Sequence, residues 1–431
     1  MSSCRTSAQD PANPREEMSS LASPEAARRI AEEAARRSYG KLLAFLAART
    51  RDVAAAEDAL SEAFAAALED WPAKGCPENP EGWLLTVARR KGVDAMRRRR
   101  RDEVAPRDFE IMAEGLEAAA GSAIPDERLA LLFACAHPAI DGAVRAPLML
   151  QVVLGLDAAA IASAFLISPA TMGQRLVRAK NKIRQAAIPF RIPEREELRE
   201  RLATVLDAIY VAFSEGWSDG AGTDAARRDL AGEALFLCRL VAELMPQEPE
   251  AMGLLALLLY LEARVPARRN ALGEYVPLGE QDPALWDWAM IREAEQLVGR
   301  AAKLGRMGRL ELEAALQSAH VERRVTGKNN WADVVELYDA LLAASGSPVV
   351  AMNRAVAVGE LRGPAAGLEA LGGIAGEARL SRYQPFWAAR ADLLAKTGRA
   401  GEAREAYEMA IGLERDPAVR RFLEARRATL R

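Results

Sequence analysis

Apolar positions recur at three- and four-residue intervals along most of the chain, which places them on one face of an α-helix. Val53, Leu60, Phe64 and Leu68 line one side of segment 52–70, and Asp58, Glu62 and Glu69 fall on exposed faces. Trp83, Leu84, Val87 and Met96 turn inward along 80–101. Met172, Leu176, Ala179 and Ile183 form a third stripe. The spacing predicts helices over about 24–50, 52–70, 80–101, 125–137, 141–154, 157–166 and 169–187, with more beyond. Breaks are expected at Trp71-Pro72, Pro106, Pro125 and Pro138. Alternating β-branched runs are almost absent and alanine, leucine, arginine and glutamate dominate, so the expected fold is all-α.

The same pattern divides the chain. Residues 1–23 are polar, carry Pro11 and Pro14, and read as a disordered lead-in. A first small helical domain covers 24–101. Residues 102–124 are acidic and rich in Gly and Ala, as a linker would be. A second small domain covers 125–187, and a boundary is expected at 188–193, where Pro189 and Pro193 flank a short stretch. The helical remainder, 188–431, shows a repeat toward its end. Trp387, Ala391, Leu394, Ala403, Tyr407 and Ala410 follow tetratricopeptide spacing, with weaker copies through Ala355, Val358, Gly367 and Leu371 and around Trp331 and Tyr338. The repeats are expected over about 309–431.

Composition narrows the function classes. The chain has 431 residues, 50 % hydrophobic and 28 % charged, an ordinary globular balance. The longest apolar stretch, around Leu254–Leu261, is too short to cross a bilayer, so no membrane association is expected. Cysteines 4, 76, 135 and 238 form no CxxC pair and only two histidines occur, which argues against zinc modules, a disulfide scaffold and any cofactor held by such groups. The simplest compartment is the reducing cytoplasm. No phosphate-binding glycine loop is present, and no nucleophile–histidine pairing suggests an enzyme.

Net charge is only −3, but its distribution is uneven. Residues 89–101 hold eight basic residues against Asp94, and 175–184 hold five with no acid. Around the second run, Asp157 and Ser168 are each placed to N-cap a helix, with Pro169 at the first helical position. Two helices, a tight turn and a basic outer face make a helix-turn-helix. Thr171 and Gln174 would face base edges, Arg175, Arg178 and Lys180 would meet phosphate or guanine, and Ser168 and Lys182 belong to the same DNA-binding surface. The plain alternative is a helical hairpin with a solvated basic face. In the first run, Arg89, Arg90, Lys91, Arg97 and Arg98 beside Trp83 make a footprint for an opened DNA strand. The acidic face carrying Asp58 and Glu62 is suited to a protein partner.

The stretches AEDALSEAFAAALEDW and NPEGWLLTVARRKGVDAMRRR, a linker, and a helix-turn-helix ending SPATMGQRLVRAKNKI occur in that order. Together they resemble bacterial RNA polymerase sigma factors of the extracytoplasmic-function class over about residues 36–187. LDAIYVAFSEGW, SPVVAMNRAVAVGELRGPAAGLEAL and DPAVRRFLEARRATL resemble recurring stretches of the sigma-factor group with a C-terminal tetratricopeptide-like extension. The resemblance implies two partners, core RNA polymerase and promoter DNA, no catalytic activity, and a further protein or peptide partner for the repeats. It implies that Asp58 and Glu62 contact the β′ coiled coil. Asn79, Trp83, Arg89, Arg90, Lys91, Asp94, Arg97 and Arg98 would serve the −10 element, and helix 169–182 the −35 element. The −10 loop here is unusually rich in proline, so its base preference does not transfer. A dimeric helix-turn-helix regulator with a C-terminal sensor is the alternative reading, and a tetratricopeptide scaffold is a third.

Overall fold

The computed structural model describes residues 24–99, 126–165, 167–217, 225–305 and 307–430. The expected lead-in 1–23 and linker 102–124 lie outside the described residues. Among those described there is no β-strand, and one isolated antiparallel bridge joins Arg269 and Tyr275. The chain is all-helical, and it divides into two compact units, 1–212 and 213–431.

The first unit opens with α1 (Pro24–Thr50), α2 (Val53–Lys74) and α3 (Pro80–Arg99), which pack on one another pairwise. Asp52 starts α2 by accepting bonds from the amides of Ala54 and Ala55, an N-cap that satisfies two otherwise orphaned donors. The buried stripe of α2 differs from the expected one. It consists of Val53, Ala56, Ala59, Leu60, Ala63, Ala67 and Trp71, while Phe64 is half-buried and Leu68 is 48 % exposed. Alanines bring the helix axes close, so the large side chains on the flank are displaced outward. The helix also runs beyond the expected stop. Pro72 gives up one intrahelical donor near the end, where the loss is tolerable, and α2 terminates at Gly75, with φ of 86° and its amide on the Trp71 carbonyl.

Next come α4 (Arg128–Cys135), α5 (Gly142–Val152), α6 (Ala158–Ala164) and α7 (Pro169–Gln185). α8 (Arg195–Trp217) begins in the first unit, where the buried guanidinium of Arg201 donates to the Phe133 carbonyl at 3.2 Å. The prolines at 189 and 193 therefore mark a turn within this unit, and the division falls inside α8.

The second unit is built around α10 (Pro249–Ala263), apolar on all sides and buried from Ala251 to Tyr260. It packs against α9 (Ala225–Leu244), α11 (Trp288–Ala302) and α12 (Arg309–Thr326). Gly253 permits the approach of α12, because a Cβ there would lie 2.6 Å from the Glu311 amide nitrogen. From α12 onward each helix packs on the next: α13 (Trp331–Ser345), α14 (Pro348–Arg362), α15 (Pro364–Gly372), α16 (Gln384–Lys396), α17 (Ala400–Leu413) and α18 (Pro417–Ala428). Nearest-neighbour stacking of this kind builds a continuous core from units too small to bury a face alone. Ala391, Leu394, Ala403, Tyr407 and Ala410, spaced as a repeat in the sequence, share one cluster here, with Trp387 packed against it.

His320 in α12 is one acid-sensitive point of this unit. Burial, aided by the nearby charges of Arg323 and Arg264, lowers its pKa to about 4. The geometry agrees, since Nδ1 lies 2.9 Å from an Arg323 nitrogen that can only donate. A folded value below the ordinary one of about 6.5 means that the folded state binds fewer protons between the two. The associated stability is complete above about pH 6.5 and lost as pH falls toward 4, about 3 kcal/mol in all. Melting curves between pH 7.5 and 4.5 should show this loss, and His320→Gln should flatten it.

Candidate nucleic-acid and polymerase interface

The basic helix α3 is held from its first turn. The Asn79 side chain accepts the Gly82 amide at 2.9 Å, so this residue serves as the helix cap. Glu81 bonds the Ser38 hydroxyl at 2.5 Å and lies 3.4 Å from the Lys41 ammonium, tying α3 to α1. Leu84, Leu85 and Ala88 are buried, while Trp83 and Val87 are half-buried. Trp83 stands edge-on to Trp71, centroids 5.5 Å apart and planes at 66°. This contact braces the Trp83 indole while the side chain remains partly open.

Arg90 and Lys91 are exposed and Arg89 is half-buried. Lys91 reaches 3.6 Å from Glu62 on α2, a solvent-screened pair. Glu62 and Asp58 are both exposed on α2. The backbone of α3 continues to Arg99, but the side chains of Asp94, Arg97 and Arg98, like that of Met96, lie outside the described residues.

The helix pair α6 and α7 starts at the caps its sequence signals. Asp157 accepts the amides of Ala159 and Ala160 at 2.8 and 2.7 Å and starts α6. Ser168 caps α7 through the Thr171 amide at 3.2 Å, with Pro169 in the first position. Met172, Leu176, Ala179 and Ile183 are all buried. Gln174, Arg175, Arg178 and Lys182 are exposed on the other side, with Ser168 and Thr171 at the helix start. The Ser168 and Thr171 hydroxyls lie 2.8 Å apart and bond each other, which leaves Gln174 with the least committed amide of this surface. Replacing Ser168 with alanine should cost about 1 kcal/mol, read as a lower melting temperature.

Lys180 is placed differently from its expected phosphate contact. It is 9 % exposed and ion-paired with Glu57 of α2. Burial raises the Glu57 pKa, and Lys180 opposes that rise through its charge and its hydrogen bond. The pattern held a signal for this. Lys180 is four residues after Leu176 and three before Ile183, and Glu57 is four after Val53 and three before Leu60, so each charge sits on an apolar stripe. Only the pairing across 123 positions was hidden.

Among the described residues, no group of three His, Cys, Asp or Glu side chains is placed to hold a metal, and no helix is long and apolar enough to cross a membrane.

Residues 35–102 match Sigma-70 region 2, a span that covers α2, α3 and most of α1. Residues 201–302 match a family of unknown function (DUF6596). An uncharacterized protein of Rhizobium meliloti (strain 1021) is 40 % identical over 373 residues, covering 84 % of this chain and 87 % of the relative. No solved structure matches the chain. The region 2 match supports a sigma-factor-like role in promoter-directed transcription initiation, with core RNA polymerase and promoter DNA as partners, and points to a non-enzymatic transcription factor.

Proposed function

Because the chain belongs to the family of the Rhizobium meliloti protein and carries a Sigma-70 region 2 domain, we propose that it is a sigma factor of the extracytoplasmic-function class with a fused, tetratricopeptide-like C-terminal extension. In this reading it is a cytoplasmic subunit that directs core RNA polymerase to its promoters. The observation that carries the proposal is the region 2 match, laid over an acidic, exposed α2 surface and a basic α3. A dimeric helix-turn-helix regulator has no use for that second module.

The mechanism follows from where charge and aromatic surface lie. Asp58 and Glu62 contact a basic surface of the polymerase. The backbone of the melted −10 strand is held by Arg89, Arg90, Lys91, Arg97 and Arg98, with Asp94 on the same helix. An unstacked base is offered the open face of Trp83, with Asn79 fixing the helix start beneath it. Unpairing costs a few kcal/mol per base, which the contact area of the polymerase helps to offset. At the −35 element, Ser168, Thr171 and Gln174 face base edges while Arg175, Arg178 and Lys182 bind phosphate. Lys180 joins them only after leaving Glu57. The C-terminal stack offers its surface to a protein or peptide partner.

Two changes separate these roles. Glu62→Arg should weaken co-elution with core polymerase about tenfold while the melting temperature stays at the wild-type value, since the side chain is exposed. Loss of helicity instead would place Glu62 in the fold and not in the interface. Gln174→Ala should relax base preference at one or two positions of the −35 element by about 1–3 kcal/mol, with the salt dependence unchanged. Selection from a randomised promoter pool reads this out.

A further inference from the structure

Four arginines of the second unit, Arg264, Arg268, Arg323 and Arg324, have no carboxylate within ion-pair distance among the described residues. Arg264 closes α10 and is only 6 % exposed. Its Nε donates to the Tyr260 carbonyl at 3.0 Å, and Nη2 donates to Gln317 Oε1 at 2.7 Å. A guanidinium carries five donors, so the other three find no acceptor among the described residues. Arg268, four residues on, lies 3.7 Å over the Trp217 ring and donates to the Trp217 carbonyl at 2.9 Å. From α12, Arg323 stacks 3.8 Å over Trp331 and donates to His320 Nδ1 at 2.9 Å. Arg324 gives its Nε hydrogen to the Gln281 carbonyl at 2.8 Å.

These groups act on one another. Burial, and after it the charge of Arg268, lowers the Arg264 pKa to about 10. The charges of Arg323 and Arg264 both reach His320. The cluster thus runs from the loop after α10 to α12. Carboxylates near enough to act on it are already engaged or buried. Asp416 is paired with Arg269 and Glu360 with Lys396, while burial raises the Glu262 pKa. A buried guanidinium without a counter-charge is strongly unfavourable, and a bound anion removes that penalty. Planar guanidinium forks match the oxygens of an oxyanion, and several positive charges suit a dianion better than a single carboxylate. His320 adds a donor, because Nδ1 accepts from Arg323 and the neutral ring then carries its proton on Nε2. Arg268, His320, Arg323 and Arg324 are half-buried, so solvent reaches the cluster, with Arg264 its deepest member.

We propose that Arg264, Arg268, Arg323 and His320 form a binding site for a phosphate group, supplied as free phosphate or as the phosphomonoester of a small metabolite. The site belongs to the second unit alone and stands whether or not the chain acts as a sigma factor. Its occupant ties the loop after α10 to α12. That loop is itself fastened to the start of α18 by the Arg269–Asp416 pair, so binding stabilises the second unit as a whole.

The test titrates the full chain, without a histidine tag, with sodium phosphate at pH 7 and constant ionic strength set by chloride. The sequence holds two histidines, so the imidazole NMR spectrum has one reporter in the site and another, His137, in the first unit. The His320 signal should move saturably while that of His137 stays, and the melting temperature should rise with occupancy. Arg264→Met and Arg268→Gln should each weaken binding about tenfold or more, the range for one charge-assisted hydrogen bond. Arg354→Gln, whose guanidinium is already paired with Asp339, should leave it unchanged. If circular dichroism shows that Arg264→Met does not fold, the half-buried Arg268 carries the comparison. Adenosine monophosphate and glucose 6-phosphate separate the sources: tighter binding than phosphate assigns the site to a phosphomonoester, and equal or weaker binding to free phosphate. Three results overturn the proposal: no saturable shift with any of the three ligands, undiminished binding in Arg268→Gln, or acetate binding as tightly as phosphate.

Discussion

Replacing Arg175 and Arg178 together with alanine should lower holoenzyme affinity for the −35 duplex roughly thirtyfold at 0.15 M salt. Both side chains are exposed on α7, on the side opposite its buried stripe, and no core contact is lost with them. Each phosphate contact contributes about 0.9 to the slope of log K against log salt. Two contacts therefore remove about two from that slope, and at 0.15 M each is worth about 0.7 log unit. The loss should be nearly uniform across −35 sequences, because phosphate contacts position the helix without reading bases. Filter binding or fluorescence anisotropy at four or five salt concentrations measures both quantities. An unchanged slope would mean that these arginines do not touch phosphate.

The second large effect concerns folding. Trp71→Ala should destabilise the α1–α3 module by about 3–5 kcal/mol, the range for a large aromatic removed from a packed core. Trp71 is 2 % exposed, and it supports the Trp83 ring that we propose meets the DNA strand. Its indole nitrogen has no hydrogen-bond partner among the described residues. Trp71→Phe should accordingly be far milder, since it keeps most of the apolar volume and removes a buried, unsatisfied donor. Urea unfolding of the full-length variants gives the comparison. Equal losses in both would show that the nitrogen does have a bonding role.

Much of this was written in the chain. Helix starts at Asp52, Asp157 and Ser168 follow from short polar side chains whose oxygens satisfy free amides, a local rule that needs no tertiary knowledge. The α7 core stripe was legible because four apolar residues kept one helical period. The buried face of α2 was less so. Its close contacts are made by Ala56, Ala59, Ala63 and Ala67, and a reading weighted toward large side chains assigned Leu68 to the inside. Lys180 shows the other limit. Its position on an apolar stripe is a local fact, but whether such a charge is solvated, bound to phosphate or paired depends on a partner far away in sequence.

The most direct measurement for the account is run-off transcription with purified core RNA polymerase and the full-length protein on a pool of genomic promoter fragments. The account predicts that the protein joins the polymerase and yields a small set of transcripts with defined starts, which are lost with Glu62→Arg. Failure to assemble with polymerase, or transcripts identical to those of polymerase alone, would contradict it.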